Sequence, residues 1–156
     1  MPIHVRLDDL CPETWEEVAD LTVADDQRDL VASNLYSIAE SRFLPGFMTR
    51  AVVHDERAVG FAMYGPDPDD GQMWLYRLMI DQAHQGKGLG RAALEQVITH
   101  VRDELGAPVL RLGVRADNVA AKALYLSAGF VPTGQTFGQE DILELRLSAG
   151  PAVIRR

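Results

Sequence analysis

The stretch that decides the fold is MWLYRLMIDQAHQGKGLGR, residues 73–91. Its apolar first part predicts a strand over 73–80, and the glycines at 86–90 predict a turn that opens a helix over 91–105. Backbone N–H groups are free at such a helix start, and glycine lets a ligand approach them closely because it has no β-carbon. The stretch therefore predicts a strand, a turn and a helix that together hold a phosphate or pyrophosphate.

The periodicity of apolar residues predicts the other elements on both sides of this unit. Upstream, they are a strand at 3–7, helices at 15–21 and 29–41, and hairpin strands at 49–54 and 58–64. Downstream, they are a strand at 109–114, a helix at 118–128 and a strand at 142–147. This order predicts an α/β fold, α+β by some schemes, with helices on both faces of a partly antiparallel sheet. We expect a single domain over 1–147 and a loosely held tail over 148–156.

Composition excludes several classes of protein. The 156 residues are 47% hydrophobic and 24% charged, which is typical of a globular domain. A net charge of −8 disfavours nucleic acid as a partner, and an acidic surface could steer a cation inward. The chain has no signal-like start or membrane span, so we expect it in the cytoplasm and not at a membrane. Cys11 is the only cysteine, which precludes an intrachain disulfide or a cysteine-based zinc site, and we expect no metal.

Three phosphate-binding motifs compete for the glycine turn. A Walker A loop needs Ser or Thr after its lysine, but Lys87 is followed by Gly88. A Rossmann fingerprint needs a glycine where Arg91 stands, and it would open the domain instead of lying in its middle. The pattern that fits is Gln-x-x-Gly-x-Gly over residues 85–90.

A second motif follows the first at residues 118–130, in the form Asn-x-x-Ala-x-x-Leu-Tyr-x-x-x-Gly-Phe. Together the two motifs resemble the GNAT superfamily of N-acetyltransferases. Residues 31–40, Val-Ala-Ser-Asn-Leu-Tyr-Ser-Ile-Ala-Glu, are similar to a stretch of bacterial spermidine and diamine acetyltransferases. The resemblance implies a mixed, mostly antiparallel GNAT sheet over residues 3–147 and acetyl-CoA as cofactor. A homodimer is compatible with it, since relatives are commonly dimers.

The resemblance also assigns roles to residues. The strand over 78–80 would pair with the pantetheine arm and polarise the thioester carbonyl through one N–H group, and Tyr125 would protonate the departing thiolate. A half-buried Tyr125, a solvated Lys87 and an Asn118 that only caps its helix are alternative interpretations. The implied cofactor-binding residues are Leu78, Met79, Ile80, Gln85, Gly86, Lys87, Gly88, Leu89, Gly90, Arg91, Asn118 and Tyr125.

The acceptor side is less defined. An alkylammonium has a pKa of about 10.4, so a base or a water chain must remove a proton before the amine can attack the thioester. Some relatives have a glutamate nine residues before the glutamine of the turn, where this chain has Tyr76, so the base is not identified. Candidate substrate-binding residues are Asn34, Tyr36, Glu40, Tyr76 and Asp81. Further candidate carboxylates are Asp29, Asp67, Asp69 and Asp70, each of which could equally be a solvated surface group.

These features predict direct transfer of an acetyl group from acetyl-CoA to a primary amine, without a covalent enzyme intermediate. A polyamine or diamine is the first candidate acceptor. An amino acid, an aminoglycoside-like amine and a protein N-terminus are alternatives. A non-catalytic acyl-CoA sensor is the rival from another class, and a nucleotide-binding protein ranks far below it.

Overall fold

The computed structural model describes residues 3–147, so the predicted tail over 148–156 lies outside the described residues. Its strands are β1 (Arg6–Asp9), β2 (Met48–His54), β3 (Arg57–Pro66), β4 (Met73–Ile80), β5 (Val109–Arg115), β6 (Val131–Phe137) and β7 (Glu140–Arg146). Its α-helices are α1 (Trp15–Asp20), α2 (Asn34–Ser41), α3 (Leu89–Thr99) and α4 (Val119–Ser127). Short 3-10 helices cover Asp25–Leu30 and Gln82–His84, and a π-helical turn, His100–Glu104, extends α3.

The strands form one mixed sheet in the order β1-β2-β3-β4-β5-β7-β6, in which only the β4–β5 pair is parallel. Alternate residues of β3 point to opposite faces. Phe61 and Met63 pack with Val18 of α1 on one face, while Ala62 lies in the same cluster as Leu94 of α3 and Tyr125 of α4 on the other. This arrangement confirms the predicted α/β fold with helices on both faces of a mostly antiparallel sheet.

Several boundaries differ from the predicted ones. The helix predicted over 29–41 was wrong in its first turn, because Val31 is extended and α2 begins only after Ser33, whose Oγ accepts a hydrogen bond from the Tyr36 N–H at 3.1 Å. Helix α3 begins at Leu89, two residues before the predicted start, because Gly88 is its N-cap. Strand β1 begins at Arg6 instead of residue 3.

Strand β6 was not predicted. It lies at the edge of the sheet, contains Pro132 and Gly134, and is exposed at nearly every position. Such a strand buries no alternating apolar face, so the period-2 signal on which strand prediction depends is missing.

The centre of the sheet is split between β4 and β5. The two strands pair only where residues 73–75 lie beside residues 110–112, although β4 runs on to Ile80 and β5 to Arg115. Tyr76 is an extra residue in β4, because Met63 lies opposite Arg77 and Tyr64 lies opposite Leu75. Such a bulge bends a strand and redirects its side chains. The fold therefore opens a gap in the middle of the sheet.

Candidate active site

A cleft of about 400 Å³ fills the gap between β4 and β5, and we call it the central cleft. One wall is residues 76–79 of β4 and the other is residues 113–115 of β5, while α4 contributes Asn118 and Tyr125. Because β4 pairs with β3 but not with β5 at these residues, its backbone polar groups on the edge that faces β5 are available to a ligand.

A second cleft, of about 250 Å³, joins the central cleft, and we call it the glycine-turn groove. Tyr125, Asn118, Leu78 and Met79 line both clefts. The groove brings together most of the predicted cofactor-binding residues, namely Leu78, Met79, Ile80, Gln85, Gly86, Gly88, Leu89, Gly90, Asn118 and Tyr125.

Two predicted cofactor residues do not line this groove. Lys87 is exposed. Arg91 uses its guanidinium within the protein, since Nη1 donates to Ser127 Oγ at 2.8 Å and Nε pairs with Glu95 at 3.3 Å.

The glycine turn has the geometry of an anion site. Gly86 and Gly88 have φ angles of 80° and 82°, in the left-handed region that side chains disfavour. Gly88 caps α3 without any side-chain hydrogen bond, and the first N–H that finds an acceptor at this helix start is that of Ala92, on Gly88 O at 3.2 Å. The preceding N–H groups of the first turn have no intrahelical acceptor, and the helix dipole adds positive potential there.

Glycine at position 90 is a second indication that the glycine-turn groove binds a ligand. A β-carbon at this position would meet Ile80 and Leu124 at 3.7 and 3.8 Å, which is ordinary van der Waals contact. The fold would therefore accept alanine, which is a better helix former by about 1 kcal/mol. Gly90, Ile80 and Leu124 all line the glycine-turn groove, so glycine at this point leaves the groove wider beside the first-turn N–H groups, and the residues present fit a pyrophosphate.

The end of β4 is fixed to the glycine turn by Gln85. Its Nε2 donates to Ile80 O at 2.9 Å and to Gln27 Oε1 at 3.0 Å. The Arg77 Nη1 donates to Tyr76 O at 3.1 Å. Leu78 lies between these two carbonyl groups and lines both clefts.

Tyr125 is at the junction of the two clefts. Its side chain is only 9% exposed and packs edge-on against Phe130, with ring centroids 5.7 Å apart. Burial, and then the negative charge of Glu140, raise the pKa of Tyr125 to about 12. The hydroxyl therefore holds its proton at neutral pH and can donate it. Asn118 caps α4 as predicted, since its Oδ1 accepts from the Ala121 N–H at 3.3 Å.

A third cleft, of about 700 Å³, adjoins the central cleft on its other side, and we call it the acidic cleft. Its carboxylates are Glu40, Asp67, Asp69, Asp70 and Glu140. Its aromatic residues are Trp74, Tyr76 and Phe137, and its cations are Arg77 and Arg111. It shares Tyr76, Arg77, Gly113 and Glu140 with the central cleft, and it shares no lining residue with the glycine-turn groove.

Two of the predicted substrate-binding residues line the acidic cleft. Glu40 pairs with Arg77 at 2.9 Å. The Tyr76 hydroxyl donates to Asp67 Oδ2 at 2.6 Å, and burial together with this bond raises the pKa of Tyr76. Because a proton acceptor must be unprotonated and the Tyr76 hydroxyl holds its proton, Tyr76 is not suited to act as the general base.

The other three lie elsewhere. Asn34 is buried and lines the central cleft, but its Nδ2 already donates to Val18 O at 2.9 Å. Tyr36 is 61% exposed and lines none of the three clefts. Asp81 lines none of them either, because its carboxylate accepts from the backbone N–H groups of Thr22 at 3.0 Å and Ala83 at 3.3 Å.

Sequence reasoning missed Arg77 and Glu140, which line both the central and the acidic cleft. Arg77 was detectable in principle, since it is a charged residue inside an apolar strand. Within residues 3–147 its Nε is a buried donor without a hydrogen-bond partner. Glu140 follows a Gly-Gln turn and belongs to no motif, so only the fold shows where it lies.

Comparison with known proteins identifies the class that this fold and site define. Residues 7–130 match the Acetyltransferase (GNAT) family, and the chain belongs to that family. Membership confirms that the chain is an acyltransferase of the N-acetyltransferase type and that acetyl-CoA is its cofactor.

Relatives with different acceptors are similar to this chain. The spermine/spermidine N(1)-acetyltransferase of Bacillus subtilis (strain 168) is 29% identical over 124 residues, which cover 76% of this chain and 82% of the relative. The ribosomal protein bS18-alanine N-acetyltransferase of Escherichia coli (strain K12) is 40% identical over 82 residues, covering 47% and 53%. The crystal structure of an acetyltransferase from Thermus thermophilus has a TM-score of 0.71 at 22% identity and covers 93% and 98% of the two chains.

Two further searches concern the described part of the chain. No helix within residues 3–147 is both long and apolar enough to cross a membrane. Over the same residues, no cluster of three or more His, Cys, Asp or Glu side chains could hold a metal ion.

Proposed function

We propose that this enzyme transfers the acetyl group of acetyl-CoA to a primary amine of a polyamine or diamine. The cofactor occupies the glycine-turn groove and the amine occupies the acidic cleft, so that the two meet in the central cleft beside Tyr125. The observation that carries the proposal is the acidic cleft itself, in which five carboxylates surround a cavity that opens onto the residues around Tyr125.

On the cofactor side, the free N–H groups at the start of α3 bind the pyrophosphate, and the open edge of β4 at Leu78 pairs with the pantetheine arm. When bound, acetyl-CoA supplies the thioester carbonyl that the amine attacks. Tyr125 holds a proton at its hydroxyl, ready for the sulfur that departs.

On the acceptor side, charge selects for a cation. The guanidinium of Arg77 is neutralised by Glu40, and that of Arg111 pairs with Glu144 at 2.9 Å and with Asp70 at 3.7 Å. Asp67, Asp69 and Glu140 remain as excess negative charge around the cleft. A polyamine offers one amine for reaction and further ammonium groups for these carboxylates, while the rings of the cleft can cover its methylene stem. The similarity to the Bacillus spermine/spermidine enzyme supports this choice.

Two rival functions make different predictions. An acetyltransferase of protein N-termini, which the Escherichia coli relative favours, would prefer short peptides to polyamines. A sensor would bind coenzyme A and transfer no acetyl group to any amine.

The test is release of free thiol from acetyl-CoA in the presence of spermidine, spermine, putrescine, amino acids and short peptides. We expect kcat/KM to be highest for a polyamine or diamine. Preference for peptides would refute the proposed acceptor, and binding of coenzyme A without turnover on the whole panel would favour the sensor.

The role of Tyr125 is tested by Tyr125→Phe, which removes only the hydroxyl. We expect kcat to fall about 100-fold, with KM for acetyl-CoA little changed. This is the low end of general acid catalysis, because a thiol has a pKa of only about 8.5 and its thiolate can leave without a proton donor. The matched control is Tyr64→Phe, since Tyr64 is also buried but lines none of the three clefts. Equal kcat values for Tyr125→Phe and the wild type, with chemistry rate-limiting, would exclude this role.

A further inference from the structure

We propose that Glu140 is the general base, the group that removes a proton from the acceptor amine at the meeting point of the central and acidic clefts. The inference rests on the proposed function for the nature of the amine. The sequence motifs do not identify the proton acceptor, and the position on β4 where some relatives have a glutamate is Tyr76 in this chain. The inference assigns the role to a residue of β7.

The first observation is the space made for this carboxylate. Glu140 is the first residue of β7, opposite Arg115 of β5, and its carboxylate folds over Gly113. A β-carbon at Gly113 would collide with Glu140 Oε1. Glycine weakens a strand interior and often marks a close approach, and at Gly113 the group that approaches is the Glu140 carboxylate.

The second observation is position. Among the carboxylates that line the clefts, Glu140 is the one found in both the central and the acidic cleft. Its charge contributes to the raised pKa of Tyr125, so its carboxylate and the Tyr125 hydroxyl act within electrostatic reach of each other. An amine that enters from the acidic cleft therefore meets Glu140 before it reaches the hydroxyl that serves the leaving group.

The third observation is that three of the other carboxylates are already engaged and the remaining two each line only one of the two clefts. Glu40 pairs with Arg77, Asp67 accepts from Tyr76, and Asp70 accepts from the Trp74 Nε1 at 3.0 Å. Within residues 3–147 the Glu140 carboxylate has no hydrogen bond or ion pair of its own. Asp69 lines only the acidic cleft, and Asp29 is an exposed group that lines only the central cleft.

The proton balance is complete with these groups. The ammonium gives one proton to the Glu140 carboxylate, directly or through one water, and the nitrogen lone pair forms the new C–N bond. As the C–S bond breaks, its electron pair stays on sulfur, which takes the hydroxyl proton of Tyr125. The nitrogen loses its second proton, which restores Tyr125, and Glu140 returns its own proton to solvent. The products are the acetamide, the thiol and one released proton.

Charged and titratable groups face Glu140 from every neighbouring element. They are Arg111 and Arg115 of β5, Tyr76 and Arg77 of β4, Tyr125 of α4, Glu40 of α2, Asp29, and Asp67, Asp69 and Asp70 of the turn before β4. Glu140→Gln, Gly113→Ala and Asp141→Asn leave all of these residues in place.

The test compares Glu140→Gln with the wild type over pH 7–9, using the best acceptor amine. At pH 7 we expect kcat/KM to fall at least about 100-fold. Without a base, reaction needs the free amine, whose fraction rises about tenfold per pH unit below its pKa. The deficit of Glu140→Gln should therefore shrink about tenfold per pH unit, whereas a purely structural effect would not follow the ionisation of the amine.

Two more variants sharpen the test. Gly113→Ala keeps the carboxylate but displaces it, so we expect a large loss of kcat/KM with little change in Tm. Asp141→Asn is the matched control, because the Asp141 carboxylate pairs with Lys122 at 3.1 Å and lines none of the three clefts. The inference would be overturned if kcat/KM of Glu140→Gln fell by less than about 3-fold, or if the loss did not change with pH. It would also be overturned if Asp29→Asn, and not Glu140→Gln, showed the pH-dependent loss.

Failure of the proposed acceptor is distinguishable from failure of this inference. If the wild type acetylates an amine other than a polyamine, the same comparison is made with that amine. If the wild type acetylates no amine, the proposed function fails. The position of Glu140 is then tested by spectroscopic titration of the tyrosines, in which the signal of Tyr125 is the one that Tyr125→Phe removes. A lower pKa of Tyr125 in Glu140→Gln supports the placement, and an unchanged pKa overturns it.

Discussion

Alanine at position 90 should separate the stability of this enzyme from its affinity for the coenzyme. Gly90 lies in the first turn of α3, where an added methyl group contacts Ile80 and Leu124 at 3.7 and 3.8 Å without a clash. Alanine gains up to about 1 kcal/mol over glycine in helix propensity, and a buried methyl group adds at most about 0.8 kcal/mol. We therefore expect Gly90→Ala to raise the free energy of unfolding by about 0.5 to 1.5 kcal/mol.

The same methyl group should weaken cofactor binding, because its neighbours Ile80 and Leu124 line the glycine-turn groove and the methyl narrows that groove beside the first-turn N–H groups. Loss of about 1.4 kcal/mol of binding free energy corresponds to a tenfold higher Kd for coenzyme A, and we expect at least that change. Thermal unfolding without ligand should show a Tm increase of about 1 to 6 °C for a domain of this size. Calorimetric titration with coenzyme A measures the Kd.

Gly86→Ala provides the contrast. Space around Gly86 is open, but its φ of 80° strains any side chain, at a cost of about 1 to 2 kcal/mol. The same chemical change should thus lower Tm at position 86 and raise it at position 90. The reasoning would be refuted if Gly90→Ala lowered Tm, or if it bound coenzyme A as tightly as the wild type.

Two further predictions concern stability. The folded pKa of Tyr125, about 12, lies above the value near 10 of an unfolded tyrosine, so its contribution to stability is complete below pH 10 and is lost as the pH rises to 12. Between pH 10 and 12, urea unfolding should show the free energy of unfolding of the wild type falling by about 2 to 3 kcal/mol more than that of Tyr125→Phe. An equal fall for the two proteins would contradict the raised pKa. Ser33→Ala removes the cap of α2 and should lower the free energy of unfolding by about 1 kcal/mol, whereas Ser33→Asp should retain most of it. Equal urea midpoints for Ser33→Ala and the wild type would contradict the cap.

The elements that could be predicted are those with a strong local signal. Strand β4 occupies the predicted residues because a long apolar run ends at a turn on each side. The hairpin is also where the pattern places it, although its turn is the two residues Asp55 and Glu56, with φ of 51° and 63°, instead of three. The glycine turn could be predicted because its chemistry is local to a few consecutive residues.

The acidic cleft, the proposed binding site of the acceptor amine, could not be predicted because it is assembled from distant parts of the chain. The acidic turn and Glu40 meet Glu140 only through the strand order and the split between β4 and β5. Tyr36 shares a segment with Glu40 but points to solvent, since α2 buries the face that carries Asn34 and Ser37. Spacing along the chain indicates helix faces, but it does not indicate which loop lies across a sheet.

The absence of shared residues between the glycine-turn groove and the acidic cleft has a kinetic meaning. If acetyl-CoA binds in the groove and the amine in the acidic cleft, as proposed, the two ligands meet only in the central cleft and neither blocks the path of the other. Binding order is then free of steric constraint, and a bound acetyl-CoA does not trap the amine behind it. On this arrangement the acetylated product would leave through the acidic cleft while coenzyme A is still held, so the two products would dissociate in either sequence.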